Sequence, residues 1–414
     1  MRLPMRDELF KLSQELIELN TQSFRRYFVQ KTKLTHRFFI LVGQRGVGKT
    51  TTLAQYLLDY AKGDRFSDKI LYIPVDHFTV GNATLFEIAE GFVQLGGELI
   101  AFDEIHQYEN WSGELKSIYD SFPTLKIIAS GSSALEIHQG SHDLSRRAIV
   151  YHLYGMSFRE FLSLKYNITL EYFSLEEIIK HHQKISHNII SELEKLNKKI
   201  LREFSDYLLY GFYPYFFELN DLALFQRTLE QNVHTTIESD LMAIYPVLTG
   251  SSIKKIKQLL SFIAGAVPFT PKWSEIQTLL EIGDPRTLKM YFKYLEDASL
   301  IKTISRESAK LNKITLPEKV FIHNSNLMQA MTKNVVNIGT VREIFFIDML
   351  TLNHEIALYK QGDFVIDHRY VFEIGGKKKD FNQIQDLKNA YLALDQIETG
   401  INNKIPLWLF GFLY

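Results

Sequence analysis

The sequence predicts an α/β protein with a parallel β-sheet core, followed by a small helical module and a second α/β module. Three observations predict this organisation. Short apolar runs alternate with helix-compatible segments in the N-terminal part, three short helical segments precede the strand-like LIKTI, and the remaining residues mix helix and strand patterns. The chain has 414 residues, which is long enough for two or three domains with their own cores.

Composition and charge exclude several classes of protein. Hydrophobic residues make up 46% of the chain and charged residues 23%, which excludes wholesale disorder. The 47 Lys and Arg residues balance 48 Asp and Glu residues, so any nucleic-acid contact must come from a local basic face. The chain has no cysteine, which excludes disulfides, thiolate metal sites and a cysteine nucleophile. No run of 18 apolar residues is present, so we expect a cytoplasmic protein without a membrane segment.

The N-terminal part contains one amphipathic segment and four strand-like runs. Apolar residues at helical spacing predict a helix over residues 7–30. The apolar runs at residues 38–42, 70–75, 99–102 and 125–129 have the length and continuity of buried strands. Helix-compatible segments separate them, as parallel strands require, because neighbouring parallel strands are joined by crossover connections. We therefore expect a parallel sheet that is covered on both faces.

A glycine-rich segment lies between the first apolar run and the helical segment TTLAQYLLDYAK. Its residues are Gly43, Gln44, Arg45, Gly46, Val47, Gly48, Lys49, Thr50 and Thr51. They match the pattern G-x-x-x-x-G-K-[ST], in which backbone N–H groups surround phosphates, Lys49 neutralises β/γ-phosphate charge and the Thr50 hydroxyl ligates Mg²⁺. The alternative is a glycine-rich turn that binds no nucleotide, but the flanking strand and helix favour a phosphate site.

Polar residues end the third and fourth apolar runs. Asp103 and Glu104 follow the third run, and in a nucleotide-hydrolysing site the first acid holds the magnesium shell while the second polarises the attacking water. Ser130 ends the fourth run, from which its hydroxyl is placed to sense the γ-phosphate. The alternatives are a solvated acidic turn and a Ser-Gly turn. The phosphate motif favours the catalytic interpretation of all three residues.

An adjacent arginine pair, Arg146 and Arg147, follows the fourth run. An arginine that reaches a neighbouring subunit's nucleotide would stabilise transition-state charge. Adjacent arginines are more often part of a solvated surface, so the pair by itself favours that alternative.

Four motifs in order make the chain resemble the AAA+-superfamily ATPases of bacteria and archaea over nearly its whole length. They are GQRGVGKTT, FDEIHQYENWSGELKSIYD, LKIIASGSSAL and DLSRRAIVYHLYGMSFREF. The resemblance implies an AAA+-like P-loop NTPase fold that binds ATP and Mg²⁺ and hydrolyses ATP, with Ser130 at the sensor-1 position. It also implies Arg147 as the arginine finger of a homo-oligomer. Many relatives have Gly-Arg where this chain has Arg146-Arg147, so both arginines stay candidates.

In that family a winged helix and a fold resembling PD-(D/E)xK nucleases follow the ATPase. Three short helical segments and the strand-like LIKTI match the winged helix. Arg286, Lys289 and Lys293 are spaced by three and four residues in the third segment, so they share one helix face that is a candidate for DNA contact. The alternative for this module is a protein contact or a lid.

Three acids stand in the order that the nuclease-like fold uses to hold a metal ion: Glu343, Asp363 and Glu373. The expected final motif is Glu-x-Lys, but Gly375 occupies the lysine's position, since residues two apart on a strand share a face. Lys377 reaches the site only if the strand bulges after Gly375. We therefore expect a degenerate fold with a binding or structural role, and an active nuclease is the less favoured alternative.

Together these patterns predict four segments. They are an ATPase core with an N-terminal helix at residues 1–150, a helical extension or lid at 151–245, a winged helix-turn-helix at 246–308 and a nuclease-like domain at 309–414. The predicted function is Mg²⁺-dependent ATP hydrolysis coupled to conformational change of the C-terminal modules, acting on DNA. The alternative is a nucleotide-gated switch that recruits DNA or a protein partner with slow turnover, and a metal-dependent nuclease is the third hypothesis.

Overall fold

The computed structural model of the protein divides into two compact units, which are described separately. The first comprises Met1–Tyr154 and His234–Leu248, and the second comprises Gly155–Val233 and Thr249–Tyr414. The structure describes residues 3–33, 35–81, 83–131, 144, 146–245, 247–266, 269–306, 317–332 and 336–414.

The first unit contains a parallel sheet of five strands among its described residues. They are β1 (Phe38–Val42), β2 (Ile70–Pro74), β3 (Leu99–Asp103), β4 (Lys126–Gly131) and β5 (Ile149–His152). Their order in the sheet is β2-β3-β4-β1-β5, and every pairing is parallel. The sequence predicted β1 to β4, whose residues are almost all buried. It missed β5, because this edge strand is short and half exposed. The predicted parallel sheet is confirmed.

The strand register brings the carboxyl ends of the central strands to one edge of the sheet. Val42 of β1 pairs with Gly131 of β4, and Pro74 of β2 pairs with Asp103 of β3. Open parallel sheets bind ligands in the crevice outside this edge. The predicted domain boundary at residue 150 lies inside β5, whose pairing with β1 ties it to the first unit, and the structure divides the chain after Tyr154 instead.

Helices cover the sheet of the first unit. They are α1 (Leu3–Asn20), α2 (Tyr27–Lys31), α3 (Lys49–Tyr60), α4 (Leu85–Gln94) and α5 (Trp111–Ser121). Leu9 of α1 and Phe92 of α4 are buried in one apolar core with β1, β2 and β3. A capping box between Thr84 and Glu87 fixes the start of α4. The layers of the predicted α/β core are therefore present.

The first helix is shorter than the predicted span of residues 7–30. The Asn20 side chain donates to the Leu16 carbonyl over 2.9 Å, and the Thr21 hydroxyl donates to the Ile17 carbonyl over 2.6 Å. These side chains satisfy carbonyls that the next helical turn would otherwise occupy. Arg26 then has an extended backbone before α2 begins. The periodicity of apolar residues carries no signal of this interruption.

Residues 155–233 belong to the second unit and are mostly helical, whereas residues 151–154 and 234–245 of the predicted helical extension belong to the first unit. The helices are α6 (Phe158–Tyr166), α7 (Leu175–Lys195), α8 (Ile200–Asp206), α9 (Phe216–Leu219) and α10 (Leu222–Thr235), with a π-helical turn at Tyr207–Gly211. Capping boxes that begin at Ser157 and Ser174 start α6 and α7. The chain returns to the first unit at His234, near the end of α10.

The returning segment, residues 234–248, contains a second π-helical turn, Thr236–Asp240, and the short helix α11 (Leu241–Ile244). Ile237 and Leu241 are fully buried. α11 packs against the 3₁₀ turn Ile105–Gln107, which directly follows the acids at the end of β3. A segment that is distant in the sequence from β3 therefore lies beside the acids at the end of that strand.

Residues 249–322 form three helices and a strand pair in the second unit. They are α12 (Gly250–Gly265), α13 (Trp273–Leu279), α14 (Pro285–Asp297), β6 (Ile301–Ile304) and β7 (Lys319–Ile322). β6 and β7 are antiparallel. Asp284 accepts a hydrogen bond from the Arg286 backbone N–H and caps α14, whose first residue is a proline. This order of elements agrees with the winged helix, which stays a prediction, and residues 307–316 between the strands lie outside the described residues.

The C-terminal part of the second unit is a mixed sheet with helices. Its elements are α15 (Ser325–Met331), α16 (Ile338–Leu350), β8 (Ile356–Leu358), β9 (Phe364–Ile366), β10 (Tyr370–Gly375), β11 (Ala390–Leu394), β12 (Lys404–Pro406) and a 3₁₀ helix at Leu407–Phe412. The sheet order is β12-β11-β10-β9-β8, with parallel pairing from β10 to β12 and antiparallel pairing elsewhere. α16 packs against β10. Among the helices that the structure describes, none has the length and apolar character to cross a membrane.

Candidate functional site

The glycine-rich segment 43–51 forms the loop between β1 and α3. Gly46 and Gly48 have φ angles of 81° and 95°, in the left-handed region that residues with a side chain rarely adopt. A Cβ atom at Gly43 would lie 2.4 Å from the Leu153 carbonyl oxygen, so no larger residue fits there. Lys49 is the first residue of α3, so the unpaired N–H groups of the first helical turn adjoin the loop. This backbone is shaped to receive an anion.

Lys49 brings a buried positive charge to the loop. Its side chain is only 4% exposed, and its Nζ donates to the carbonyl oxygens of Gly43 over 3.1 Å and Gln44 over 3.2 Å. The same Nζ lies 3.7 Å from Oε1 of Glu104. The ammonium therefore lies across the loop, where a phosphate group would meet it.

Asp103 accepts hydrogen bonds from three hydroxyl groups. Thr50 donates to Oδ2 over 2.6 Å, Tyr72 donates to Oδ2 over 2.5 Å, and Ser130 donates to Oδ1. Burial, together with the charge of Asp103, raises the pKa of the Tyr72 hydroxyl, which therefore stays a neutral donor. Because all three donors are neutral, they orient Asp103 without cancelling its charge.

Glu104 has a left-handed backbone, with φ of 52°. Glutamate rarely adopts this conformation, and such residues cluster at functional sites. Its backbone N–H lies 3.1 Å from both Asp103 Oδ1 and Ser130 Oγ. The carboxylate lies between Lys49 and His106, whose Nε2 is 3.5 Å from Glu104 Oε2. This turn brings the Glu104 side chain close to Lys49, beside the glycine-rich loop 43–51.

Thr50 and Asp103 together form a donor set that fits Mg²⁺. The Thr50 hydroxyl and the Asp103 carboxylate are hard oxygen ligands, and a magnesium ion usually takes one or two such protein ligands with water and phosphate oxygens. Their contact of 2.6 Å places both groups at one point beside the loop. The residues present therefore suit this ion.

Sequence reasoning missed Tyr72 and Arg26. Tyr72 lies in the middle of β2, beside Ala101 of β3, and a tyrosine in an otherwise aliphatic buried strand was the available signal, because a buried hydroxyl needs a partner. Arg26 is buried and donates to the carbonyls of Val47 over 2.5 Å and Tyr154 over 2.7 Å. These hydrogen bonds stabilise the loop, and nothing in the sequence around Arg26 indicates that role.

A third missed residue, Asp240, lies in the returning segment 234–248. Arg45 donates to its two carboxylate oxygens over 3.2 and 3.1 Å, and His106 Nε2 lies 3.7 Å away. Burial by itself favours the neutral carboxyl, but hydrogen bonds from His106 and Arg45 outweigh it and lower the pKa of Asp240 to about 2. Asp240 follows Arg45 by 195 residues, so no local pattern identifies the pair.

Arg146 and Arg147 follow residues 132–143, which lie outside the described residues. Nε and Nη2 of Arg147 each donate to Asp120 of α5 over 2.9 Å, and this pairing lowers the pKa of the Asp120 carboxyl. Arg146 is exposed. A role of either arginine in a neighbouring subunit stays a prediction. Ser132 and Ser133, which follow Ser130 in the sequence motif, lie outside the described residues.

The basic residues of α14 lie on its outer face in the second unit. Arg286 and Lys293 are exposed and Lys289 is half-buried, whereas Leu288 and Phe292 on the opposite face are buried. The helix therefore presents the three cations as the spacing predicted, and DNA contact stays a prediction.

The three acids of the nuclease-like prediction lie on neighbouring elements of the second unit. Glu343 is on α16, Asp363 directly precedes β9, and Glu373 is on β10. Burial raises the pKa of Glu343 to about 7, although Lys319 lies 3.5 Å away and opposes this shift. Asp363 accepts a hydrogen bond of 2.7 Å from the Ile374 backbone N–H. Within the described part of the chain, no three His, Asp or Glu side chains form a group that could hold a metal ion.

The lysine that reaches Glu373 is Lys379, whereas the sequence pointed to Lys377. Lys379 Nζ pairs with Glu373, and Lys377 is exposed. A Cβ atom at Gly375 would lie 2.7 Å from the Lys379 Cβ, so the Lys379 side chain occupies the space that a residue-375 side chain would fill. The turn after β10 is closed by a hydrogen bond from the Lys379 N–H to the Gly376 carbonyl, and it brings Lys379 back beside Gly375. Spacing along a strand does not predict such a turn.

Two sequence families match parts of this chain. Residues 35–162, which include the phosphate loop and the acids of β3, match the AAA domain family. Residues 201–336 match a domain of unknown function, DUF8612. The first match supports a P-loop ATPase of the AAA type. The second covers residues of the second unit together with the segment 234–248 of the first, and it does not indicate a function.

The chain is also similar to an uncharacterized protein of Methanocaldococcus jannaschii. The two are 27% identical over 304 residues, which cover 68% of this chain and 61% of the relative, so this chain spans less than two thirds of the relative's length. Among solved structures, C. elegans PCH-2 aligns with 43% of this chain and 48% of its own at 14% identity and a TM-score of 0.24. AMPPCP-bound DnaA from Aquifex aeolicus aligns with 70% of this chain and 88% of its own at 16% identity and a TM-score of 0.25. Similarity at these TM-scores does not define the fold.

Proposed function

We propose that the first unit binds Mg·ATP and hydrolyses it. One observation carries this proposal: Asp103 accepts hydrogen bonds from the hydroxyls of Thr50 and Ser130 at the edge of the sheet where the side chains of Lys49 and Glu104 lie 3.7 Å apart. The match of residues 35–162 to the AAA domain family supports it independently of this geometry.

Each residue has a role that follows from its contacts. The loop backbone binds the phosphates, and Lys49 neutralises their charge. Thr50 and Asp103 hold the magnesium ion, which supplies positive charge to the phosphate oxygens. Glu104 accepts a proton from the attacking water. Ser130 donates to Asp103 and lies 3.1 Å from the Glu104 backbone N–H, so a change at the γ-phosphate reaches both acids through its hydroxyl.

The proposal extends to a homo-oligomer in which Arg147 or Arg146 acts on the neighbouring copy's nucleotide. Arg147 is held by Asp120 in this chain, so it must exchange that partner to act in trans. In a mixture of Lys49→Ala and Arg147→Ala chains, each active site formed from an intact loop and a neighbouring intact arginine regains hydrolysis. Activity of Arg147→Ala alone at the level of the unaltered protein excludes Arg147, and the same pair of measurements tests Arg146.

The nucleotide state of the first unit is proposed to reach the C-terminal modules through the chain itself. The returning segment 234–248 is continuous with residues 155–233 before it and with residues 249–414 after it. A change at the nucleotide site that moves this segment acts on both stretches at once. DNA is the proposed client, contacted by Arg286, Lys289 and Lys293 of α14.

A nucleotide-gated switch with slow turnover is the second candidate function. The Glu104 carboxylate lies near both Lys49 and His106, and these contacts compete with its action as a base. In this alternative, ATP binding recruits the partner and hydrolysis only resets the switch.

An ATPase assay with no DNA, single-stranded DNA and double-stranded DNA tests these proposals. We expect hydrolysis that requires Mg²⁺, is abolished by EDTA and is stimulated by DNA. Binding of ATP with turnover that DNA does not change supports the switch, and absence of ATP binding contradicts both. Neutralising Arg286, Lys289 and Lys293 together should remove the DNA stimulation and reduce the salt dependence of DNA binding. Lys254→Gln, at an exposed position of α12, is the matched control.

A further inference from the structure

The returning segment places a buried carboxylate between two parts of the candidate nucleotide site. Asp240 has no exposed surface and ends the π-helical turn Thr236–Asp240. π-helical turns are rare and occur frequently at functional sites. A buried carboxylate is costly unless charged or hydrogen-bonding groups compensate it, so its partners explain its presence.

The partners of Asp240 come from two different elements of the site. Arg45 belongs to the phosphate loop, and its Nε and Nη2 donate to the two carboxylate oxygens. His106 belongs to the turn that begins directly after Glu104, and its Nε2 lies 3.7 Å from Asp240 Oδ1. Asp240 therefore connects the element that would hold the phosphates to the element that carries the proposed base.

The contacts continue from Asp240 to the groups with proposed chemical roles. His106 Nε2 lies 3.5 Å from Glu104 Oε2, and Glu104 Oε1 lies 3.7 Å from Lys49 Nζ. A displacement of Asp240 thus changes the position of His106, and through it the position of the Glu104 carboxylate relative to the loop.

Resting on the proposed ATPase function, we propose that Asp240 is a positioning residue. From the returning segment, it fixes the position of the Glu104 carboxylate relative to the phosphate loop, residues 43–51. The rate of ATP hydrolysis in the first unit then depends on the position of residues 234–248. Because this segment is flanked on both sides by residues of the second unit, anything that displaces it lowers hydrolysis without contacting the nucleotide. The regulation acts within one chain and is distinct from an arginine supplied by a neighbouring copy.

Steady-state hydrolysis and equilibrium binding of a non-hydrolysable ATP analogue, both on the full-length protein, test the proposal. Asp240→Asn keeps the shape of the side chain and removes its charge. We expect kcat to fall at least about tenfold, while the Kd of the analogue stays within about threefold. Glu238→Gln, at an exposed position of the same turn, is the matched control and should leave kcat unchanged.

A double-mutant cycle separates positioning from a loss of fold. Arg45→Gln with Asp240→Asn removes both charges, so no buried charge is left without its partner. If the two residues act through one contact, the double variant loses no more kcat than the more damaging single variant. Its melting temperature also stays closer to that of the unaltered protein than that of Arg45→Gln does, because Arg45→Gln leaves the buried Asp240 carboxylate without its guanidinium partner. If Asp240→Asn does not fold, the double variant is compared directly with Arg45→Gln, and a kcat below that of Arg45→Gln by more than about threefold contradicts the shared contact.

The outcomes distinguish this inference from the function on which it rests. Hydrolysis by the unaltered protein that depends on Lys49, together with a kcat of Asp240→Asn within twofold of it, overturns the positioning role and leaves the ATPase intact. A parallel loss of analogue binding and melting temperature in Asp240→Asn shows a structural ion pair and also overturns the role. No Lys49-dependent hydrolysis by the unaltered protein overturns the ATPase and the inference together.

Discussion

Asp103 of the first unit and two acids of the second unit, Glu343 and Glu373, have different kinds of partners. Asp103 accepts from the neutral hydroxyls of Thr50, Tyr72 and Ser130. In the second unit, Glu373 pairs with the Lys379 ammonium and Glu343 lies 3.5 Å from the Lys319 ammonium. Neutral donors orient a carboxylate and leave its charge available to a cation, whereas an ammonium cancels that charge. The number of acids therefore does not determine which unit is suited to a metal ion.

Burial shifts the pKa of Glu343 and Glu373, but at Asp240 it is outweighed by charged partners. Asp240 in the first unit is held in its charged form by Arg45 and His106, with a pKa lowered to about 2 although burial opposes this shift. Burial dominates at Glu343 in the second unit and raises its pKa to about 7, and it also raises the pKa of Glu373. Asp240 is therefore stabilised as a carboxylate, whereas Glu343 and Glu373 are shifted toward the protonated carboxyl. The predictions that follow test this difference, beginning with the largest effect.

Loss of a lysine should affect nucleotide binding in one unit only. Lys49→Ala removes the buried ammonium beside the loop, and we expect the Kd for Mg·ATP to rise at least about 100-fold, which is about 3 kcal/mol. Lys379→Ala, which removes the lysine of the other cluster, should leave this Kd unchanged. Calorimetric titration of both variants measures the effect. Equal losses in both variants would show that the contrast between the units is wrong.

Replacement of the proposed base should slow turnover and spare binding. Glu104→Gln keeps the shape of the side chain but removes its basicity, and we expect kcat to fall about 100-fold while ATP stays bound. Glu109→Gln, at an exposed position five residues later, is the control and should retain full activity. The measurement is phosphate release under saturating ATP. Unchanged phosphate release in Glu104→Gln would assign the base to another residue.

Removal of one acid from each unit tests where a metal ion acts. Asp103→Asn should reduce about tenfold the factor by which Mg²⁺ strengthens ATP binding, because it removes a carboxylate from the proposed magnesium shell. Asp363→Asn should have no effect on that dependence. We also expect no DNA cleavage by the unaltered protein with Mg²⁺ or Mn²⁺. Cleavage that disappears in Asp363→Ala would establish a nuclease in the second unit.

The contributions of Glu343 and Asp240 to the pH dependence of stability should have opposite signs. With a pKa of about 7, against an ordinary value of 4.5, Glu343 holds a proton in the folded chain that the unfolded chain releases. Its contribution to the free energy of unfolding is complete below about pH 4.5 and is lost as the pH rises to about 7. The free energy of unfolding then falls by up to about 3 kcal/mol. The contribution of Asp240 is present above its ordinary pKa of 3.8 and is lost as the pH falls toward 2.

Glu343→Gln isolates the effect in the second unit. This variant should be about 1–3 kcal/mol more stable than the unaltered protein at pH 8, and nearly equal to it at pH 4.5. Thermal unfolding at pH 4.5, 6 and 8 measures the difference. Glu398→Gln, at an exposed position of the same unit, should show no such trend. A constant difference at all three pH values would mean that Glu343 is charged throughout this range.

The sequence predicted the core of the first unit well because its signals are local. A continuous apolar run predicts a buried strand, and a fixed pattern of glycine, lysine and threonine must follow it for the loop to turn into a helix. The edge strand β5 and the interruption after Asn20 escaped prediction, since one is half exposed and the other depends on side-chain bonds to Leu16 and Ile17. Local patterns predict elements more reliably than their ends.

The residues that the sequence could not identify are joined by long-range contacts. Tyr72 reaches Asp103 only through the register of β2 and β3, and Asp240 reaches Arg45 across 195 residues. Lys379 takes the space beside Gly375 because a turn brings it back, whereas strand spacing pointed to Lys377. In each case the interaction depends on how the chain returns, which residue spacing does not record.

The sequence by itself determined the α/β class, the parallel core and the residues placed at the edge of its sheet, because hydrophobic periodicity and glycine geometry are properties of short segments. Only the tertiary structure decided which donors surround each acid. Electrostatic character depends on burial and on charges within a few ångströms, and those neighbours are distant in the chain. Acids that contact hydroxyls and acids that contact lysines cannot be told apart in the sequence. Only the fold gives them different chemistry.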